Sequence, residues 1–329
     1  MRQTVEELTN GIIAGDRASL ARGITLVESN SQKHFEEGQM LLQALMSHQN
    51  KTIRIGITGV PGAGKSTFID SFGTYLTSKG LKVAVLAIDP SSQVSKGSIL
   101  GDKTRMERLA RDHKAFIRPS PAGGKLGGVS RKTRESIILC EAAGYDVILV
   151  ETVGVGQGEY VVRNMVDFFL LIVLTGAGDE LQVMKKGIME LPDLVVVNKA
   201  DGDNKQRAVK AKQELNTILH FLTSYTEGWL TEAVLCSSTK ESGIEEIWTK
   251  IEQFRERVEK NGLFKKRREE QQKEWLHDLI KEQVERLVFQ HPIIKEHISQ
   301  LESDIIKGKQ SVSKSALSVI ELFKQVYSS

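Results

Sequence analysis

The sequence predicts an α/β fold, with a mostly parallel central sheet flanked by helices, a helical extension before it and a helical arm after it. Three observations carry that expectation. Short runs of β-branched and aliphatic residues recur along the chain, helical stretches separate them, and the turn leaving the first run is rich in glycine. Six runs qualify: TIRIGIT (52–58), LKVAVLAID (81–89), YDVILVE (145–151), FFLLIVL (168–174), DLVVVN (193–198) and AVLCSS (233–238). Near-continuous apolar runs suit strands buried on both faces, and parallel strands need crossover helices between them.

Taken in chain order, residues 1–50 form the helical extension. Leu8, Ile12, Ile13, Leu20, Ile24, Leu26 and Val27 fall at helical spacing, and Gly11, Gly15 and Gly23 interrupt them, so short amphipathic helices are expected. The sheet domain spans 51–255, where strand and helix alternate. From 256 to 329 the segments become long and heavily charged. There Trp275, Leu276, Leu279, Ile280, Val284, Leu287 and Val288 line one helical stripe that stops before Pro292. A stripe of this kind packs on its own domain or on a second subunit. The KKRR run (265–268), followed at once by two glutamates, reads as a solvated helix face.

Composition narrows the function classes. Across 329 residues, 40% are hydrophobic, and 45 Lys and Arg face 42 Asp and Glu for a net charge of +3. That balance gives no electrostatic reason to expect nucleic acid or an anionic membrane as partner. Two separated cysteines, Cys140 and Cys236, make no disulfide framework or four-ligand zinc site, which fits a reducing cytoplasm. No apolar run approaches the roughly 20 residues of a membrane span, and the N-terminus lacks a signal-peptide pattern.

The glycine-rich turn is GVPGAGKST (59–67). Gly59, Gly64, Lys65 and Ser66 satisfy G-x-x-x-x-G-K-[ST] between a strand and a helix. In that setting successive backbone N–H groups and the helix N-terminus wrap a polyphosphate, and side chains would block the approach. The chemistry is that of a P-loop NTPase. Pro61, Gly62, Ala63 and Thr67 complete the cradle, Lys65 brings a cation to the outer phosphates, and the Ser66 hydroxyl is a hard oxygen ligand for Mg²⁺.

NKAD (198–201) follows the fifth run directly. A carboxylate at Asp201 can accept hydrogen bonds from guanine N1–H and the exocyclic amino group, whereas adenine offers an acceptor at N1 and no 2-amino group. The pair therefore favours GTP over ATP. Asn198 and Lys199 flank that reader, and Ser237 and Ser238 sit where a further base-contacting loop would lie, although serine after a strand is ordinary.

Three acids are candidates for the magnesium and γ-phosphate region: Asp89 and Glu151 at strand ends and Asp102 in GSILGDKTRM. Gly154 could offer a backbone N–H to the γ-phosphate. Val155 stands where small signalling GTPases place a water-orienting glutamine, and Gln157 comes two residues later, so slow unaided hydrolysis is expected. Arg105, Arg108, Arg118 and Arg131 are candidate charge-stabilising arginines, with surface salt bridges the commoner use.

The run GVPGAGKST, AIDPSS, GSILGDKTRM, FIRPSP, LGGVSRKTRE, AGYDVILVETVGVGQ, GDELQ and NKAD resembles the MeaB/ArgK family of P-loop GTPases. The resemblance covers nearly the whole chain and is densest from about residue 53 to 203. It implies a homodimeric GTPase that binds GTP or GDP with Mg²⁺ and serves an adenosylcobalamin-dependent acyl-CoA mutase, gating cofactor delivery and protecting or helping reactivate the mutase. It also implies that residues 176–187 report nucleotide state to that mutase. Two departures stand out: Lys125 where the family usually has threonine before LGG, and QVSK (93–96) in place of a stretch richer in threonine and glycine. A nickel-delivery GTPase ranks lower, because such proteins carry clustered cysteine and histidine. A phosphotransferase linked to amino-acid transport also ranks lower, because Asp201 argues against ATP.

Overall fold

The computed structural model describes residues 3–29, 31–48, 51–89, 106–121, 126–152, 158–175 and 186–328. Among these residues seven strands form one parallel sheet: β1 (Ile53–Gly59), β2 (Val83–Asp89), β3 (Ala115–Pro121), β4 (Val147–Glu151), β5 (Phe168–Val173), β6 (Leu194–Val197) and β7 (Glu232–Leu235). Their order is β3-β2-β4-β1-β5-β6-β7, which leaves β1 central between β4 and β5. The six expected strands are present. The seventh, β3, was not expected, because Arg118, Pro119 and Pro121 break its apolar run. Among the described residues it pairs with β2 alone and forms an edge, the position where proline's missing N–H costs least.

The alternation of side chains across the pleat divides the core between the two faces. Ile53, Ile55, Ile57, Val83, Val85 and Leu149 point to one face. There they meet Phe68 and Phe72 of α4 (Lys65–Ser78) and Ile247, Ile251 and Phe254 of the helix Ile244–Lys260. Phe254 sets its ring edge-on to Phe168 at 4.9 Å, a contact that adds about 0.5–1.5 kcal/mol beyond area burial. Ala84, Leu86, Ile148, Val150 and Phe169 point to the other face. They share a core with the helix Leu126–Ala142 and with α1 (Val5–Ile13), α2 (Arg17–Glu28) and α3 (Gln32–Leu45).

The N-terminal extension is therefore three helices laid on the sheet domain. Of the three glycines expected to interrupt them, Gly15 alone falls between helices. Gly11 and Gly23 lie inside helices at tight contacts; a Cβ on Gly23 would stand 2.9 Å from Ile12 and Leu139 methyls.

By its contacts the chain divides into two units, Met1–Gln271 and Gln272–Ser329, and the division falls within the helix Leu263–Phe289. The first part of that helix belongs to the sheet unit through ion pairs, which corrects the reading of KKRR as solvated for Arg267 and Arg268, while Lys265 and Lys266 are exposed as expected. Arg268 bonds Asp167 through Nε (2.9 Å) and Nη2 (2.7 Å), reaches the Thr52 carbonyl at 2.7 Å, and approaches Glu141 at 3.4 Å. Arg267 donates to Thr226 Oγ1 at 2.6 Å and to the Asp167 carbonyl. Arg54 completes the cluster with a two-pronged pair to Glu141 at 2.8 Å. Thr52 and Asp167 immediately precede β1 and β5, so this cluster lies at the N-terminal ends of the central strands, opposite the phosphate loop.

In the second unit the helix Leu263–Phe289 continues, followed by Pro292–Ile306 and Val312–Ser328. Leu276, Ile280, Val284 and Leu287 form an exposed stripe on it. Among the described residues, no helix is long and apolar enough to cross a membrane.

Candidate nucleotide-binding site

The site assembles at the C-terminal ends of the strands, where open parallel sheets leave a crevice. β1 ends at Gly59, whose added Cβ would stand 2.3 Å from the Ile172 carbonyl oxygen of β5, so only glycine lets the two strands run this close. The chain then turns through 60–64 and enters α4, with Ala63 N–H bonded to the Val60 carbonyl at 3.1 Å and Phe68 N–H to the Gly64 carbonyl at 2.8 Å. Pro61, Gly62 and Thr67 are exposed on this turn, and Ala63 is buried.

Lys65 is buried and folded back on its own loop, donating to the Gly59 carbonyl at 2.8 Å and the Val60 carbonyl at 3.4 Å. Burial pulls its ammonium below the usual lysine range, and the nearby Glu151 carboxylate partly counters the shift. The Ser66 hydroxyl donates to Glu151 Oε1 at 3.3 Å. Glu151 is buried at the end of β4, beside β1.

The NKAD loop meets this cradle through Asn198. Its Nδ2 donates to the Ala63 carbonyl at 2.9 Å, while its Oδ1 accepts from Ser238 Oγ at 2.9 Å and Ser238 N–H at 3.3 Å. Phosphate loop, NKAD loop and serine loop thus share one buried side chain. Lys199 takes a left-handed backbone (φ 58°), rare for a residue with a Cβ. Asn204 supports it by donating to the Lys199 carbonyl at 2.7 Å and accepting from Thr175 Oγ1 at 2.5 Å. Asp201 Oδ2 accepts from Ser237 Oγ and from Thr239 Oγ1, the latter at 3.3 Å.

The structure therefore brings together Gly59, Gly64, Lys65, Ser66 and Glu151 on one side, and Asn198, Lys199, Asp201, Ser237 and Ser238 on the other. Asp89 closes β2 by backbone pairing with Pro121. Asp102, Gly154, Gln157, Arg105, Lys125 and 93–96 lie outside the described residues, as do residues 176–185 of the expected reporting segment. Arg118 bonds Glu28 and Thr25, and Arg131 lies over the Phe35 ring, so both arginines face the N-terminal helices. Arg108 holds Asp70, Ser71 and Glu241. Arg108, a candidate charge-stabilising arginine by sequence, is thus engaged in ion pairs with Asp70 and Glu241; Thr239 and Asn204 were missed, since isolated polar residues in loops carry no spacing signal. Both cysteines are buried, and burial pushes the Cys236 thiol up to about 12.

Comparison with known proteins decides the family. The family model described as methylmalonyl Co-A mutase-associated GTPase MeaB matches residues 20–292. The chain belongs to the MeaB family of GTPases. As a MeaB-family member it is 48% identical to the GTPase ArgK of Escherichia coli over 281 residues, covering 85% of each chain. It is 44% identical to the mitochondrial methylmalonic aciduria type A homolog of Mus musculus, over 97% of this chain and 80% of that one. A solved structure described as an LAO/AO transport system kinase superposes with a TM-score of 0.76 at 37% identity, covering 98% of this chain and 99% of that one. This MeaB-family chain is a P-loop GTP hydrolase that binds GTP and GDP.

Proposed function

We propose that this MeaB-family GTPase is a GTP-dependent chaperone of an adenosylcobalamin-dependent acyl-CoA mutase, gating delivery of the cofactor and protecting the mutase. The family description names association with methylmalonyl-CoA mutase, and the mouse relative's name refers to methylmalonic aciduria. The observation that carries the nucleotide half of the reading is the Asn198 seam, which locks the phosphate cradle to the base loop at fixed spacing.

In this reading the backbone N–H groups from Gly62 to Thr67 wrap the phosphates. The Lys65 ammonium leaves its two loop carbonyls for the β- and γ-phosphate oxygens, which restores the charge stabilisation that burial removes. Asp201 accepts the guanine N1–H and amino group, with Ser237 and Thr239 holding its carboxylate in place. Ser66 Oγ and Glu151 Oε1 are hard oxygens side by side, a donor set that fits Mg²⁺, with Asp89 and Asp102 as further acids. Bound there, the ion would neutralise charge on the β- and γ-phosphates. Gly154 and Gln157 serve the γ-phosphate and the attacking water. The chain acts as a homodimer, with the exposed stripe Leu276, Ile280, Val284 and Leu287 as its apolar contact.

Two measurements test this. At about 1.5–3 kcal/mol per charge-assisted hydrogen bond, losing the Asp201 pair corresponds to roughly two to four orders of magnitude in affinity. GDP should outbind ADP by such a factor, and Asp201→Asn should shift preference toward xanthine nucleotides; equal affinity for GDP and ADP would end the guanine reading. GTP turnover should rise when an adenosylcobalamin-dependent mutase from the same source is added. Unchanged turnover with every such mutase would end the chaperone reading.

A further inference from the structure

Behind the base loop that follows β7 stands Arg108, a side chain that belongs to neither nucleotide motif. Arg108 lies on the short helix Glu107–Arg111, and its guanidinium makes three contacts. Nε donates to Asp70 Oδ2 at 2.9 Å, Nη2 donates to Ser71 Oγ at 3.0 Å, and Nη1 pairs with Glu241. Asp70 and Ser71 are buried residues of α4, the helix that begins at Lys65. Asp70 also accepts the Leu109 N–H at 3.0 Å, which fixes the arginine's own helix against α4.

From Ser71 the contacts run straight into the site. Ser71 Oγ donates to the Ser238 carbonyl at 2.7 Å, Ser238 Oγ donates to Asn198 Oδ1, and Asn198 Nδ2 donates to the Ala63 carbonyl. On the other branch Glu241 sits in a left-handed backbone (φ 56°), a conformation that persists in a non-glycine residue only where its surroundings hold it. The same loop closes on itself through Ser237 N–H to the Ser242 carbonyl at 3.0 Å and Lys240 N–H to Ser237 Oγ at 3.2 Å. Ser237 is also the residue that bonds Asp201. Arg108 therefore grips the base loop at two points, Ser238 through Ser71 and Glu241 directly.

We propose that Arg108 is a positioning residue for guanine recognition, clamping the 237–242 loop to the phosphate-loop helix so that Ser237, Ser238 and Asp201 meet the base preorganised. This rests on the guanine-reading assignment above. A planar fork suits the task, because three acceptors in fixed directions are met by one rigid group, which lysine cannot do.

The test separates base from phosphate recognition. Dissociation of a fluorescent GDP is followed by stopped flow for wild type, Arg108→Ala, Arg108→Lys and Glu241→Gln, and affinity for inorganic pyrophosphate is measured alongside. Arg108→Ala should speed GDP release about three- to tenfold, a change on the scale of losing one or two partly exposed charged contacts. Arg108→Lys should fail to restore it, Glu241→Gln should move in the same direction, and pyrophosphate affinity should stay unchanged in all. GDP release at the wild-type rate in both Arg108→Ala and Glu241→Gln overturns the proposal. So does an equal loss for GDP and pyrophosphate, which would mark a general effect on the fold. Failure of the guanine reading itself has a different signature, wild-type protein binding ADP as tightly as GDP, and it would remove this proposal with it.

Discussion

Replacing Gly64 by alanine probes the seam between the two halves of the site. Gly64 has φ 86° at the N-terminus of α4, and a Cβ there would stand 2.8 Å from Asn198 Nδ2, inside any normal contact. A side chain in the left-handed region costs about 1–2 kcal/mol. Displacing Asn198 from the Ala63 carbonyl adds roughly 0.5–1.5 kcal/mol for the lost hydrogen bond. If the loop relaxes out of its cradle shape to relieve this, the total of about 1.5–3.5 kcal/mol becomes a roughly 10- to 300-fold rise in the GDP dissociation constant, at roughly 1.4 kcal/mol per decade. Gly62→Ala is the matched control: its φ is 82°, yet no protein atom lies within 4 Å of a Cβ there. It should cost only the backbone term, roughly 5- to 30-fold. Titration calorimetry with GDP and Mg²⁺ on both variants reads the difference. Equal losses, or a Gly64→Ala protein within about threefold of wild type, would refute the idea that Asn198 joins the loops.

Two predictions concern the charged cluster at the N-terminal ends of β1 and β5. Arg268→Ala removes a guanidinium that pairs with both the Asp167 and Glu141 side chains, 1% and 0% exposed, and should cost about 3–5 kcal/mol in urea unfolding. That is a large part of a typical 5–15 kcal/mol total, and a loss under about 1 kcal/mol would contradict the network. Burial alone would push the Asp167 carboxyl up, but Arg268 and Arg54 outweigh it and hold it below the usual aspartate value. Its stabilising effect is thus complete above the unfolded pKa of about 3.9 and is lost as pH falls through the lower folded value. The stability gap between wild type and Asp167→Asn should narrow below about pH 4, and a constant gap from pH 6 to 3 would count against it.

The sequence alone specified the parts whose chemistry is local. The G-x-x-x-x-G-K-S spacing places glycines, lysine and serine within one turn, so the phosphate cradle follows from residue order, and NKAD after an apolar strand follows in the same way. Six strands were legible because burial on both faces leaves an unbroken apolar run. What only the tertiary structure decided depends on residues distant in the chain. The edge strand Ala115–Pro121 was hidden because an edge tolerates proline and polar residues that a central strand does not. KKRR carries no sign in sequence that Arg267 and Arg268 turn inward, since the Asp167 and Glu141 carboxylates that pair with Arg268, and the Asp167 carbonyl and Thr226 hydroxyl that accept from Arg267, are distant in the chain. The meeting of Asn198 with Ala63, across 135 positions, and of Arg108 with Glu241, across 133, has the same cause. Side-chain hydrogen bonds are short-ranged and directional, so which polar groups pair is set only when the parallel sheet brings its strand ends to one edge.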